Sequence, residues 1–270
     1  MNLYALKSKL VLPGDSIAEK FFEALSAARL KVKSGDIIAV TSKIVSIAES
    51  NIVSLAKVKA TTLAKKIGGR FEMRPEFAQV VLDESDALYG GVPGVLLTLK
   101  NGDAIANSGV DQKNAPGSTV VPWPLDPQHS ADSIRRIVRQ KLSKNIGVVI
   151  VDSRVTPLRI GTIGIAIACA GFNPVRDTRR SRDLYGRKAR ITFQALADGI
   201  AGAAQLLMGE GRERIPFVLV RGAPIELTGS KRLASMKLPM KDCLYMSQMP
   251  RPILKDKHAS LPSEIAYLQP

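Results

Sequence analysis

Two short segments carry the residue types and spacing that could do chemistry. One is Asn107-Ser108-Gly109-Val110-Asp111-Gln112-Lys113-Asn114, and the other is Val151-Asp152-Ser153. In each, a carboxylate stands where an apolar run breaks into polar residues. The first breaks off a Leu/Val-rich stretch, Val95-Leu96-Leu97-Thr98-Leu99 followed by Ala104-Ile105-Ala106. The second ends Ile146-Gly147-Val148-Val149-Ile150-Val151, which reads as a buried strand stopping at Val151. An acid at the mouth of a strand, followed by a hydroxyl, suits a hard divalent cation. Mg²⁺ takes a few oxygen ligands and keeps water and phosphate for the rest. The same acid could equally serve as a turn residue or a helix cap.

Other catalytic classes have little to work with. The two histidines, His129 in a Pro-rich loop and His258 near the C-terminus, leave no obvious base for a Ser-His-Asp or Cys-His arrangement. Cys169 and Cys243 form no metal-ligand or disulfide pattern. Chemistry must therefore rest on carboxylates, Lys, Arg and metal. The 39 basic against 24 acidic residues give a net charge of +15, which favours anionic partners such as nucleotides, phosphorylated metabolites or nucleic acid, or is a basic solvated surface. Aromatic residues are few and no helix-turn-helix, RRM or KH signature is present, which argues against nucleic-acid binding. No apolar run reaches membrane-spanning length and no signal peptide is visible, so a cytoplasmic protein is expected.

The elements that must hold these residues alternate between strand and helix patterns. An opening strand or two precedes the turn Pro13-Gly14-Asp15. Ser16-x-x-Glu19 has capping-box spacing before Ile17, Phe21, Leu25 and Ala28 at helical intervals. Ile37-Ile38-Ala39-Val40-Thr41 reads as a strand ending in Ser42-Lys43. Residues 51–67 and 75–84 read as helices, the second opening with Pro75. A hairpin is expected around Asn101-Gly102, a helix near 130–142, a long helix over 192–210 rich in Ala and Gly, and a last strand over 215–220. The many small side chains of that long helix point to close packing, plausibly against a second subunit. Gly161, Gly164 and Gly171 bracket an apolar run whose bare backbone could approach a ligand or allow tight packing between layers. Neither G-x-x-x-x-G-K-[ST] nor a Gly-rich Rossmann fingerprint occurs.

These segments, in this order, resemble the coenzyme F420-0:L-glutamate ligase family. The pieces carrying the resemblance are Val40-Thr41-Ser42-Lys43-Ile44-Val45, the Asn107 to Asn114 stretch, Leu125-Asp126-Pro127, Asp152-Ser153, Asp183-Leu184-Tyr185-Gly186-Arg187, Ala197-Asp198 and Met208-Gly209-Glu210. The resemblance implies a mixed α/β (α+β) fold in one ligase domain over 1–250, which could comprise two subdomains, while the weakening pattern after Gly222 makes 251–270 read as a tail. It implies GTP-dependent amide formation, in which the terminal carboxylate of F420-0 becomes an acyl phosphate attacked by L-glutamate. It further implies Mg²⁺ or Mn²⁺ at two sites, stimulation by K⁺, and a homodimer. By matching positions, Asp111, Asp152, Ser153 and Glu210 would hold metal. Ser8, Lys9, Leu10, Val11, Ser42, Lys43, Asn114, Met208, Gly209 and Gly211 would contact nucleotide. Lys43 and Arg187 would act on the reacting phosphate and carboxylate groups, Arg187 from a dense basic run that could equally be a solvated loop.

Several positions depart from the family pattern. Ile47 stands where Lys is usual, Val155 and Thr156 replace Gly-Arg before Pro157, Ala168 and Arg180 replace Gly, and Lys113 replaces a small hydroxyl residue. Substrate scope is therefore expected to shift. A ligase with another carboxylate acceptor, or an inactive nucleotide-binding paralogue, stays open as an alternative.

Overall fold

In the computed structural model, residues 1–179, 181–230, 235–250 and 252–253 are described. The chain opens with β1 (Asn2–Leu6) and turns at Pro13-Gly14 into α1 (Ile17–Ala27), where the Ser16 side chain caps the helix by accepting the Glu19 N–H. β2 (Ile37–Thr41) leads directly into α2 (Ser42–Ala48). Next come β3 (Val53–Ser54), α3 (Thr62–Arg70) and α4 (Pro75–Glu84). They are followed by β4 (Ala87–Val92), β5 (Val95–Lys100), β6 (Asp103–Ala106) and β7 (Thr119–Val120). The remaining elements are α5 (Pro127–Leu142), β8 (Gly147–Val155), β9 (Thr162–Ala170), β10 (Val175–Asp177), β11 (Phe193–Ala195), α6 (Leu196–Met208) and β12 (Phe217–Arg221). The architecture is mixed α/β, as expected.

The chain divides into two compact units, Met1–Ser50 with Pro124–Met236, and Asn51–Trp123 with Lys237–Pro270. The first is built on a five-stranded sheet of order β1-β12-β2-β8-β9, in which only β2 and β8 run parallel. β2 reads as an unbroken apolar run because both sheet faces are covered. Ile37 and Ala39 join a core with Ala197, Ile200, Ala201 and Ala204 of α6. On β12, Phe217 meets Phe21 of α1 edge-on, ring centroids 5.6 Å apart. The small residues of α6 let its backbone approach β9. A Cβ on Gly164 would stand 2.4 Å from the Ala201 carbonyl oxygen, so the bare backbone there serves layer packing.

The second unit is a β4-β5-β6 antiparallel sheet with α3 and α4 on one face, packed through Ile67, Phe77, Val81, Leu88 and Leu96. The other face, carrying Ala87, Tyr89, Leu97, Leu99 and Ala104, is covered by Cys243 and Met246 of the C-terminal segment. That segment is tied down by a Lys237–Asp103 ion pair at 2.8 Å and by the Ile253 N–H donating to the Leu88 carbonyl.

Three expectations need correction. Residues 51–67 are not one helix: β3 pairs with β7, and α3 begins only at Thr62, after the Thr61 N-cap. The helix expected from 192 starts at Leu196, because Phe193–Ala195 pairs with Val175–Asp177. The strand expected to end at Val151 continues to Val155, since β9 supplies partners as far as Thr162. Arg180 and, apart from Pro252 and Ile253, the tail 251–270 lie outside the described residues.

Candidate functional site

Within the first unit the sheet registers bring most of the expected positions to one end. Leu6 of β1 and Val40 of β2 both pair with Phe217, the first residue of β12, and Thr41 pairs with Val151 of β8. The chain leaving β1 and β2 therefore meets the loop entering β12, with Val151 of β8 beside Thr41. The Ser8 N–H donates to the Arg214 carbonyl at 3.0 Å and the Thr41 N–H to the Pro216 carbonyl at 3.0 Å. Ser8, Lys9, Leu10, Val11, Ser42, Lys43, Asp152, Ser153 and the loop from Met208 to Glu213 thus share this end. The Ser8 segment is closed by Asp15, which accepts the Leu12 N–H at 2.7 Å and pairs with Lys20 at 3.1 Å. Those partners, the Leu12 N–H first, hold its carboxyl below the ordinary carboxylate value.

Asp152 does not terminate its strand, as the sequence had suggested. It lies within β8 opposite Ile165, half-buried, and its Oδ1 accepts the Ser153 N–H at 2.8 Å. Extending the strand past Val151 places Asp152 and Ser153 one after the other on a rigid backbone, so their side chains point to opposite faces. Glu210 follows Gly209, which ends α6 at φ +70°. Its Oε1 accepts from Thr162 Oγ1 at 2.9 Å and also from Gln205 Nε2. Sequence reading missed Thr162 and Gln205, since nothing local marks a residue whose partner comes from another strand. It also missed Glu213, whose Oε2 accepts the Gly211 N–H at 2.8 Å. Asp198 fixes the start of α6 by accepting the Ala166 N–H beside the bulge at Ile150 and Val151.

In the second unit Asp111 pairs with Val121 through both backbone groups, and its Oδ1 accepts the Lys113 N–H at 2.7 Å. It follows a left-handed turn in which Asn107, Ser108 and Gly109 have φ of 50°, 54° and 70°. Gly109 has no room for a side chain: a Cβ would lie 2.1 Å from Trp123 Nε1. Asn114 is also left-handed, at φ 58°.

Arg187 sits in a turn built by Asp183, whose Oδ1 accepts the N–H groups of Tyr185 and Arg187, each at 2.8 Å. Gly186 supplies the positive φ of +78° that the turn requires. Leu184, Tyr185 and Arg187 are exposed, and the Arg187 guanidinium lies 5.9 Å from the Tyr185 ring centroid. Nearby, Arg179 and Asp177 form the local pair expected of a solvated loop. Of the departures from the family pattern, Ile47 is buried in α2, and Ala168 is buried mid-strand in β9. Val155 ends β8 and is exposed. Neither Val155 nor Ala168 lies in a loop of positive φ.

The donor set is carboxylate and hydroxyl oxygen, which suits Mg²⁺ or Mn²⁺ and neither thiolate- nor imidazole-preferring metals. Among the described residues, no three His, Cys, Asp or Glu side chains gather as a metal cage.

The sheet end of this mixed α/β molecule gathers acids, hydroxyls, a lysine and a glycine-flanked loop. The sequence model of the F420-0:Gamma-glutamyl ligase family matches residues 5–222, and the chain belongs to that family. It is 37% identical over 218 residues to the coenzyme F420:L-glutamate ligase of Methanopyrus kandleri, covering 80% of this chain and 84% of that one. The protein of the same name from Archaeoglobus fulgidus is 37% identical over 221 residues, covering 82% and 87%. That from Methanothermobacter thermautotrophicus is 36% identical over 216 residues, covering 80% and 86%.

Proposed function

We propose that this protein is a ligase that joins L-glutamate to coenzyme F420-0 at the expense of GTP. The observation that carries this reading is the convergence of Ser8, Ser42, Lys43, Asp152, Ser153 and Glu210 at one sheet end of a chain from this family. In the first step a carboxylate oxygen of F420-0 attacks the γ-phosphorus and GDP leaves, forming an acyl phosphate. In the second, the glutamate nitrogen attacks the acyl carbon, phosphate leaves and the nitrogen loses a proton. The chain's own part is to position and to neutralise charge. Lys43 meets phosphate oxygens, the segments around Ser8 and Gly209 hold the nucleotide, and Arg187 receives the anionic acceptor. Asp152, Ser153 and Glu210 of the first unit, and separately Asp111 of the second, are assigned as ligands for Mg²⁺ or Mn²⁺, which when bound would neutralise phosphate charge; K⁺ would stimulate.

A homodimer belongs to the same reading. It is supported by the large apolar side chains left in water on the first unit: Leu158, Ile160, Leu184 and Ile191 are almost wholly exposed. No helix among the described residues is long and apolar enough to cross a membrane.

The test is direct. Purified protein with F420-0, GTP, L-glutamate and Mn²⁺ is expected to yield glutamylated coenzyme by mass spectrometry, with GDP and phosphate released in equal amount. Absence of product across Mg²⁺, Mn²⁺ and other nucleoside triphosphates would remove the reading.

A further inference from the structure

The left-handed turn before Asp111 is held by buried polar side chains that the proposed chemistry does not use. Left-handed backbone is costly for residues with a Cβ and persists where surrounding groups over-determine it. Here Asn107 Oδ1 accepts the Leu96 N–H of β5 at 2.8 Å. Ser108, wholly buried, donates its N–H to Thr98 Oγ1 at 2.8 Å. The Ser108 hydroxyl lies 2.6 Å from Ser85 Oγ and 3.2 Å from the Val81 carbonyl at the end of α4. Thr98, also wholly buried, passes its own hydroxyl hydrogen to the Ile105 carbonyl of β6 at 2.7 Å.

The turn is thereby bonded to a helix end and twice to β5, whose Thr98 is in turn bonded to β6. Its surroundings are apolar, with Val81, Leu88, Leu96, Val110 and Val120 in the same core. Any other conformation of the turn would strand a buried N–H or hydroxyl without a partner, which such surroundings penalise heavily. A glycine or apolar turn could close the same distance with less polar burial. What the hydroxyls add is a single conformation three residues ahead of a carboxylate.

We propose that Thr98 and Ser108 are positioning residues for Asp111, locking the turn so that the carboxylate is oriented before a divalent cation arrives. The inference rests on the reading of Asp111 as a cation ligand. Groups that orient a metal ligand typically change metal affinity about 10- to 100-fold when lost.

Thr98→Val keeps the shape and removes the acceptor for the Ser108 N–H; Thr98→Ser keeps the hydroxyl and removes a methyl. Two measurements on the full chain separate them. Amide hydrogen exchange at Asp111 and Val121 is followed in EDTA, and Mn²⁺ affinity is measured by electron paramagnetic resonance with GTP present. Thr98→Val is expected to speed exchange at both amides and to weaken Mn²⁺ binding about tenfold, with Thr98→Ser close to wild type in each. Equal exchange in the two variants, or fast exchange in Thr98→Val with wild-type Mn²⁺ affinity, overturns the proposal. If Thr98→Val does not fold, Asn107→Gly takes its place, since glycine accepts the φ and loses only the bond to Leu96. The same pair of changes is expected there, and wild-type behaviour overturns the proposal. Asp111→Asn is the control: unchanged Mn²⁺ binding in that variant overturns the cation reading, while the exchange measurement judges the turn by itself.

Discussion

At the residue scale, the two cysteines show how environment decides reactivity. Cys169 is buried on β9, and desolvation, reinforced by Asp132 and Asp198, pushes its thiol up to about 12. Cys243 is only half-buried. At mildly alkaline pH the native protein is expected to react rapidly with a disulfide reagent at Cys243 alone, and at both thiols once denatured. Equal rates in the native protein would contradict this environment. A raised folded-state value favours the neutral thiol, so the stability it contributes is complete below the ordinary value of 9.0. It is lost as pH rises toward about 12. The proposed ligands invite a different test. Asp152 is half-buried on a strand paired through its backbone, and the bond its Oδ1 accepts from the Ser153 N–H is one that an asparagine oxygen can keep. Asp152→Asn is expected to melt like wild type without metal and to lose on the order of 100-fold in kcat, because charge stabilisation of the transferring phosphoryl group is weakened. Wild-type turnover, or a chain that no longer folds, would count against Asp152 as a ligand.

At the element scale the contact between β9 and α6 is the most demanding. Gly164→Ala must push α6 away from the sheet, because the new methyl would fall 2.4 Å from a backbone oxygen that no rotamer change can move. A loss of about 1–3 kcal/mol is expected from such overpacking, measurable by denaturant titration; an unchanged midpoint would show that α6 rests more loosely. Because α6 also carries Gln205, which holds Glu210, turnover is expected to fall as well. The same contact explains what the sequence could and could not reveal. α1, α4, α5, β2, the β5–β6 hairpin and β12 were legible because each has a local signature: a cap, a leading proline, a period, or Asn-Gly at a turn. β3 and β10 were not, since two or three residues become a strand only when a distant partner, β7 or β11, arrives. β4 carries Gly90 and Gly91 and takes its register from β5 across a bulge. Asp152 was legible as an acid after an apolar run, but not as a residue inside a strand, because the extension depends on β9. Thr98 and Ser108 look like ordinary polar residues until the fold buries them.

At the scale of the whole molecule, a net charge of +15 on a chain of 270 residues keeps copies apart at long range and draws anions in. Exposed apolar side chains work against that separation. Leu158 and Ile160 lie between β8 and β9, while Leu184 and Ile191 lie between β10 and β11; all four belong to the first unit. Scattered apolar residues on a surface need no explanation, but four large ones almost wholly exposed in two hairpin connections of one unit are uncommon for a monomer. A second copy is a suitable cover, since the repulsion between like net charges is screened within about 8 Å at physiological ionic strength, whereas burial of apolar surface is not. Light scattering with size-exclusion chromatography is expected to give a dimer for the wild-type chain. Leu158→Asp together with Ile160→Asp is expected to give a monomer whose circular dichroism is unchanged, because neither side chain contributes to the core. Raising salt should tighten the wild-type dimer rather than dissolve it, as screening relieves the net repulsion. A wild-type chain that stays monomeric at all concentrations would remove the dimer, and a dimer that survives both aspartates would place its interface elsewhere.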